Sequence, residues 1–196
     1  FRRVLFRSLH RFCRENSRIP VITGGIGVCH LFVDASADLP KSARVVCNAK
    51  VQRPTVCNAL ETLLVHRAIA GEFLPQVCRD LAARGVEFRV DEKAWQILSG
   101  AGIDPARVLP AGPDDYDTEW LSLVLSVRVV DDLDSAISHI REHSTGHSDG
   151  ILTGDPESAR VFTNRVNSAC VYVNASTRFT DGSQDRKSTR LNSSHG

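Results

Sequence analysis

Short apolar runs alternate along this chain with longer segments in which apolar residues recur every three or four positions. The short runs have the length and composition of β-strands, and they are PVIT (20–23), HLFVD (30–34), ALETLLVH (59–66), VEFRV (86–90), GILT (150–153) and CVYVN (170–174). Strict alternation of apolar residues from Leu121 to Val129 predicts one further, longer strand.

Helix signals fill the segments between these runs. Three aspartates suit N-cap positions, and two of them are followed by first-turn prolines: Asp38 with Pro40, Asp132, and Asp155 with Pro156. A fourth segment, 69–81, repeats apolar residues every four positions up to a stop at Gly85, and Pro75 predicts that its regular part starts late. Strands that alternate with amphipathic helices favour parallel pairing, so we predict a three-layer α/β domain with a mostly parallel sheet.

Length and composition limit the class of protein. With 196 residues and 42% apolar content, the chain suits one domain with a real core. No apolar run approaches the roughly 18 residues of a membrane helix, and no signal-peptide pattern precedes the body. Six scattered cysteines without a CxxC pair favour free thiols in a reducing compartment. We therefore expect a soluble, cytoplasmic protein with no membrane partner.

The two ends of the chain differ from its body. FRRVLFRS (1–8) and DRKSTRLNSSHG (185–196) carry no periodic apolar face. A DNA sequence that encodes the first tail has a reverse complement that, translated from its second base, encodes DRKSTRL (185–191). This DNA element resembles a common short-read sequencing adapter. We therefore interpret both ends (1–8 and 185–196) as adapter-like artefactual tails, and 9–184 as a fragment of a longer protein.

Removing the tails changes the charge argument. They carry +3 and +2 charges, so the total of +1 leaves −4 for residues 9–184. An acidic body lacks the basic footprint of a nucleic-acid-binding protein, so we expect no nucleic-acid partner.

Two motifs that suggest ligands have simpler interpretations. His139, His143 and His147 follow a spacing of four, but no carboxylate accompanies them in a zincin pattern, and Gly146 is expected to end the helix before His147. We therefore predict no metal site. The glycines of ITGGIGVCH (22–30) precede a strand rather than a helix, which favours a tight turn over a dinucleotide fingerprint.

Cys57 differs from the other cysteines in its setting. It follows the turn residues 53–55 in a loop between a helix and a strand, whereas Cys47 and Cys78 fall on predicted helices. Loops on a rigid scaffold are where chemistry concentrates, and a cysteine thiolate is a nucleophile. From spacing alone, Cys57 is either a nucleophile or a small apolar side chain.

Four segments resemble a single family, in that family's order along the chain. They are IPVITGGIGVCHLFVDASADL (19–39), NAKVQRPTVCNALETLLVH (48–66), HIREHSTGHSDGILT (139–153) and SACVYVNASTRFTDG (168–182). They resemble gamma-glutamyl phosphate reductase (glutamate-5-semialdehyde dehydrogenase), a family of the aldehyde dehydrogenase superfamily. The resemblance implies an aldehyde-dehydrogenase-like catalytic domain and assigns the role of nucleophile to Cys57.

The same resemblance implies roles for further residues. Glu119 aligns with the glutamate that holds the nicotinamide ribose, Asn58 becomes an oxyanion candidate, and Arg53 becomes a candidate for binding the leaving phosphate. The segment that lines the substrate pocket supplies four candidates for gripping the amino-acid end of the substrate: Asn174, Ser176, Thr177 and Arg178.

The implied reaction is the NADPH-dependent reduction of L-glutamyl 5-phosphate to L-glutamate 5-semialdehyde and phosphate in proline biosynthesis, through a thioacyl group on Cys57. The family also implies a homo-oligomer functionally linked to glutamate 5-kinase, and a nucleotide-binding region before residue 9, so we expect the fragment alone to be inactive. Ile22 stands where hydrolytic aldehyde dehydrogenases carry a water-activating glutamate, which implies slow thioester hydrolysis. An Ile22→Glu variant of the intact protein that hydrolyses its thioester no faster would contradict this hypothesis.

Two alternatives stay open at this point. One is another NAD(P)-dependent aldehyde dehydrogenase that acts on a different aldehyde, which an assay of phosphate-dependent oxidation of glutamate semialdehyde would distinguish. The other is a non-catalytic α/β module in which Cys57 merely packs. In that case Cys57 should be alkylated no faster than Cys47 or Cys78.

Overall fold

The computed structural model describes residues 12–13, 15–19 and 26–180. The predicted strand at 20–23, Ile22, and the tails at 1–8 and 185–196 lie outside these residues, as does most of the predicted glycine turn.

One seven-stranded parallel sheet occupies the centre of the described part. Its strands are β1 Cys29–Val33, β2 Leu60–His66, β3 Glu87–Val90, β4 Val108–Pro110, β5 Val124–Val130, β6 Ser148–Leu152 and β7 Cys170–Val173. They lie in the order β4-β3-β5-β2-β1-β6-β7, and every neighbouring pair is parallel. The prediction of a parallel α/β sheet is confirmed.

Helices on both faces of this sheet connect successive strands, except between β4 and β5, which a loop joins. They are α1 Leu39–Val51, α2 Arg67–Ala82, α3 Glu92–Leu98, α4 Leu133–His143 and α5 Pro156–Arg165. Asp38, Asp132 and Asp155 each accept a backbone N–H of the first helical turn, as their spacing predicts.

The core divides into two clusters because side chains of a strand alternate between the faces of a sheet. Leu31 of β1 lies in the cluster that includes α1, α2 and α3, whereas its neighbour Phe32 lies in the cluster that includes α4 and α5. All five residues of β1 are buried. The predicted three-layer arrangement is therefore confirmed.

The late start predicted for the helix around Pro75 is wrong. Helix α2 begins at Arg67 and runs through Pro75 to Ala82. Proline at this position costs the hydrogen bond to the carbonyl of Gly71, but the buried face that includes Phe73 and Leu81 holds the helix together. Gly85 follows in the left-handed region, with φ of 87°, as a stop signal requires.

The long strand predicted from residue 121 begins later than expected. Leu121 has a φ of 50°, a left-handed conformation that no strand residue adopts, and β5 starts at Val124. Two short elements, α3 and β4, had no clear signal in the sequence, because segments of seven and three residues are too short for a periodic pattern to stand out.

Parallel pairing gives the sheet two different edges. We call the edge where the strands begin, at Cys29, Leu60 and Ser148, the amino edge, and the opposite one the carboxyl edge. The loops that enter the strands meet at the amino edge, so residues distant in sequence come together there. None of the helices that the structure describes combines the length and apolar character needed to cross a membrane.

Candidate active site

Cys57 lies at the amino edge of the sheet, in the loop between α1 and β2. Its side chain is exposed, whereas Cys29 and Cys78 are buried, and Cys47 and Cys170 are half-buried. Loop 52–59 is a succession of turns, and Ala59 closes one of them by donating its N–H to the carbonyl of Val56. The backbone therefore presents this thiol outward.

The backbone N–H groups of Cys57 and Asn58 have no hydrogen-bond acceptor within the described part of the chain. Two adjacent N–H groups beside a nucleophile can stabilise an oxyanion. The Asn58 side chain is engaged differently, since its Nδ2 donates to the Thr180 carbonyl while its buried Oδ1 meets no donor among the described residues. Only the backbone of Asn58 is thus arranged for the predicted oxyanion role.

Gly27 packs directly against the backbone of Cys57. A Cβ placed on Gly27 would lie 1.9 Å from the Cys57 carbonyl oxygen, far inside any tolerable contact. The Gly27 N–H donates to Oε1 of Glu119 at 2.9 Å. The structure therefore brings the predicted nucleophile and the predicted ribose-binding carboxylate together through a single glycine.

Cys29 lies beneath this contact. Its Sγ donates to the Cys57 carbonyl at 3.2 Å and lies 3.9 Å from Nδ1 of His147. Burial, reinforced by the nearby Asp149 carboxylate, raises the pKa of the Cys29 thiol well above its usual range. Cys29 is therefore a protonated, structural thiol that fixes the carbonyl orientation of Cys57.

Arg53 is exposed at the start of the Cys57 loop, and the structure gives its guanidinium no ion pair within the described residues. It therefore has free donors on the same loop as the thiol. Its predicted role in binding phosphate stays a prediction.

The predicted substrate segment is split between the two edges of the sheet. Asn174 follows β7 at the carboxyl edge, where its amide both accepts from the N–H and donates to the carbonyl of Thr153, each at 2.9 Å. Its side chain is thus committed to Thr153, at the end of the sheet away from Cys57. The structure does not bring Asn174 to the candidate site, because the chain turns back after this residue.

The rest of that segment returns to the amino edge. Ser176 and Thr177 are buried, and the Ser176 hydroxyl accepts the Arg178 N–H at the start of a 3-10 turn. Beyond the turn, Thr180 contacts Asn58 through its carbonyl and Ser148 through its hydroxyl, at 2.7 Å. Thr177 Oγ1 and Arg178 Nε are buried with no partner in the described ranges.

The three spaced histidines face different partners. Nδ1 of His139 lies 3.1 Å from Arg128, Nδ1 of His143 lies 2.9 Å from Asp117, and Nδ1 of His147 lies 2.8 Å from Ser148. No group of three or more potential metal ligands occurs within the residues that the structure describes.

His139 should make the protein sensitive to acid. Burial lowers its pKa from 6.5 to about 2, and the neighbouring His30, His143 and Arg128 add to the effect. As pH falls below about 6.5, His139 takes up a proton in the unfolded chain but not in the folded chain. The free energy of unfolding is therefore highest above that pH and decreases as pH falls. At about pH 5 we expect a loss of about 1–2 kcal/mol.

Thermal melts of the intact protein and of a His139→Phe variant, between neutral pH and about pH 5, measure this effect. The variant should lose less stability over that interval than the wild type. A His143→Gln variant on the same helix should keep most of the acid sensitivity, because burial, the main cause of the lowered His139 pKa, is unchanged. Equal acid sensitivity in wild type and His139→Phe would contradict the prediction.

Comparisons with known proteins find similar sequences and structures, although no protein-family model matches the chain. Over 176 residues it is 62% identical to the curated gamma-glutamyl phosphate reductase of Psychromonas ingrahamii, covering 90% of this chain and 41% of that protein. The crystal structure of the reductase from Thermotoga maritima is 49% identical, with a TM-score of 0.82, over 90% of this chain and 41% of that one. The chain is a homologue of the gamma-glutamyl phosphate reductases. It spans about two fifths of the length of the curated relatives it matches.

A more distant structure shows that the fold extends beyond the reductases. An indole-3-acetaldehyde dehydrogenase, solved with NAD⁺, is 19% identical with a TM-score of 0.65 and covers 91% of this chain and 43% of its own. This likeness confirms the predicted aldehyde-dehydrogenase-like fold.

Several residues of this candidate site were not identified from sequence. Gly27, Cys29, Ser148 and Thr180 all lie within segments that carry the family resemblance, but no local pattern assigns them a role. Their contacts join five segments of the chain that come together only in the folded sheet.

Proposed function

We propose that the intact protein carrying this segment reduces L-glutamyl 5-phosphate to L-glutamate 5-semialdehyde and phosphate, with NADPH as the reductant and Cys57 as the nucleophile. The observation that carries the proposal is an exposed thiol at the amino edge, flanked by two unpaired backbone N–H groups and joined to Glu119 through Gly27. The high identity to curated reductases supports the substrate class.

The first half of the reaction is acyl transfer to Cys57. Its thiolate attacks the acyl carbon, the carbon–oxygen bond to phosphate breaks, and phosphate leaves with that electron pair. The N–H groups of Cys57 and Asn58 stabilise the oxyanion that forms on the carbonyl oxygen. Arg53 supplies guanidinium donors to the leaving phosphate.

The second half releases the aldehyde. Glu119 would hold the ribose of a reduced nicotinamide nucleotide, whose chemistry there would be the supply of a hydride to the thioester carbon. The oxygen of the resulting thiohemiacetal stays at the same N–H groups until the carbon–sulfur bond breaks and returns its electron pair to Cys57.

Glu119 fits a nicotinamide nucleotide. One carboxylate oxygen accepts from Gly27, and the other has no hydrogen bond within the described residues, so it is free to accept from a ribose hydroxyl. The distant aldehyde dehydrogenase solved with NAD⁺ supports this class of cofactor. The choice of NADPH rests on the family resemblance.

The other substrate contacts are proposed in the same way. Ser176, Thr177 and Arg178 lie on the segment that packs beside Asn58, and the unpartnered atoms of Thr177 and Arg178 suit a polar ligand. We also propose a cytoplasmic homo-oligomer that receives its labile acyl phosphate from glutamate 5-kinase. Strand β7 is the last strand of the sheet and is half-exposed, and a second protomer that covers it would protect its unpaired backbone groups.

An assay of the intact protein in the thermodynamically accessible reverse direction tests the function. With glutamate semialdehyde and NADP⁺, we expect NADPH formation that depends on added phosphate. The thioester on Cys57 needs phosphate as its acceptor. Equal rates without phosphate would indicate a hydrolytic aldehyde dehydrogenase and would overturn the proposal.

A further inference from the structure

A fully buried ion pair lies behind the Cys57 loop. Nζ of Lys50, on α1, lies 2.8 Å from Oε2 of Glu61, on β2, and both side chains have no exposed surface. The same ammonium donates to the Leu60 carbonyl at 2.8 Å. The pair therefore joins the last turn of α1 to the start of β2, across the base of the loop that carries Cys57.

The backbone is irregular at Glu61. Cys29 of β1 is paired with Leu60, but His30 is paired with Thr62, so the register shifts by one residue and leaves Glu61 without a partner on β1. Such a bulge re-aims a side chain, and bulges are common next to active sites. Here the bulge directs the Glu61 carboxylate toward the buried ammonium group of Lys50.

The second oxygen of Glu61 reaches another segment of the site. Oε1 accepts the N–H of Leu121 at 3.2 Å, and Leu121 is the residue held at a φ of 50°. A leucine in the left-handed region is strained and persists only when its surroundings enforce it. Leu121 lies two residues after Glu119, whose carboxylate binds Gly27 against Cys57.

We infer that Lys50 and Glu61 form a positioning pair that sets the Glu119 segment relative to the Cys57 loop. Oε2 of Glu61, through Lys50, fixes the base of the loop that carries Cys57. Oε1 of Glu61 fixes the strained backbone at Leu121, two residues after Glu119. This inference rests on the proposed function for the roles of Cys57 and Glu119.

The electrostatics explain why both partners are required. Burial raises the pKa of Glu61 to about 7, and Lys50 opposes this shift through its charge and its hydrogen bond. The nearby Glu119 carboxylate acts in the same direction as burial and contributes to this raised pKa. Removing Lys50 would thus leave two neighbouring carboxyl groups without a compensating charge, so a single substitution is a poor test.

Two double variants of the intact protein separate positioning from stability. Lys50→Met with Glu61→Leu replaces the pair by apolar groups that pack well, but leaves the Leu121 N–H without an acceptor. Lys50→Met with Glu61→Gln also removes both charges but keeps an amide oxygen that can accept from the Leu121 N–H. Lys93→Met, in the exposed pair with Asp131, is the control.

We expect the apolar variant to fold, with KM for NADPH raised about tenfold or more, because Glu119 is displaced. Hydrogen exchange of the peptide around Leu121 should be faster, and the Cys57 alkylation rate should change. The glutamine variant and the control should stay within about threefold of wild type in every measurement.

The result that overturns the inference is an apolar variant with wild-type KM for NADPH and wild-type exchange around Leu121. An intact wild type without phosphate-dependent activity would overturn the proposed function instead. In that protein, altered exchange and Cys57 alkylation in the apolar variant but not in the glutamine variant would still support the positioning role.

Discussion

Replacing Cys57 with serine in the intact protein should reduce acyl-phosphate reduction by more than about 10³-fold. Serine keeps the size of the side chain, but its hydroxyl is not ionised near neutral pH, and the site offers it no identified base. KM values should change little, because the unpaired N–H groups and Glu119 stay in place. Steady-state NADPH oxidation with L-glutamyl 5-phosphate measures the effect.

The matched control is Cys47→Ser, a half-buried cysteine on helix α1 and outside the loop that carries Cys57. It should keep wild-type rates within about threefold. Alkylation with a thiol reagent should inactivate the wild type at the rate at which Cys57 is modified. Substantial activity in Cys57→Ser, or inactivation that follows modification of Cys47, would exclude Cys57 as the acyl acceptor.

Replacing Gly27 with alanine should impair the site without touching a reacting atom. Its methyl group would lie 1.9 Å from the Cys57 carbonyl oxygen, so either the β1 entry or the Cys57 loop has to move. A displacement of about 1 Å at the nucleophile costs about 10²-fold in rate. The added strain should also cost about 1–3 kcal/mol of stability.

Gly71→Ala is the matched control, since a Cβ at Gly71 meets nothing within 4 Å on the surface of α2. That variant should keep full activity and gain about 0.5–1 kcal/mol from the better helix propensity of alanine. Melting curves and kinetics of the two variants side by side separate strain at the site from a general glycine effect. A Gly27→Ala protein with wild-type kcat would refute the close approach.

Periodicity predicted most of the fold because its signals are local. Aspartate caps and alternating or four-residue apolar spacing predict the elements at Asp38, Asp132 and Asp155 and most of the strands. The errors at Pro75 and Leu121 have a common cause. In each case a tertiary interaction overrides the local preference. Burial of one face of α2 keeps the helix intact through Pro75, and the Glu61 carboxylate holds Leu121 outside the strand.

The candidate site was less predictable. Spacing identified Cys57 as a cysteine in a loop, and the family resemblance supplied its role. The contact of Gly27 with Cys57 and Glu119 joins residues up to 92 positions apart, and no local pattern encodes such a distance. Asn174 shows a different difficulty. Residues that are neighbours in a sequence motif can lie at opposite edges of the sheet, and Asn174 lies at the carboxyl edge.

The interior position of β1 in the sheet also constrains how the chain folds. Its five buried residues need β2 on one side and β6 on the other, and His30 pairs with Asp149, 119 residues further along. A sheet closed by such distant pairings forms slowly. Until β6 is available, β1 presents an apolar strand edge to other chains, so newly made copies should depend on chaperones at high concentration.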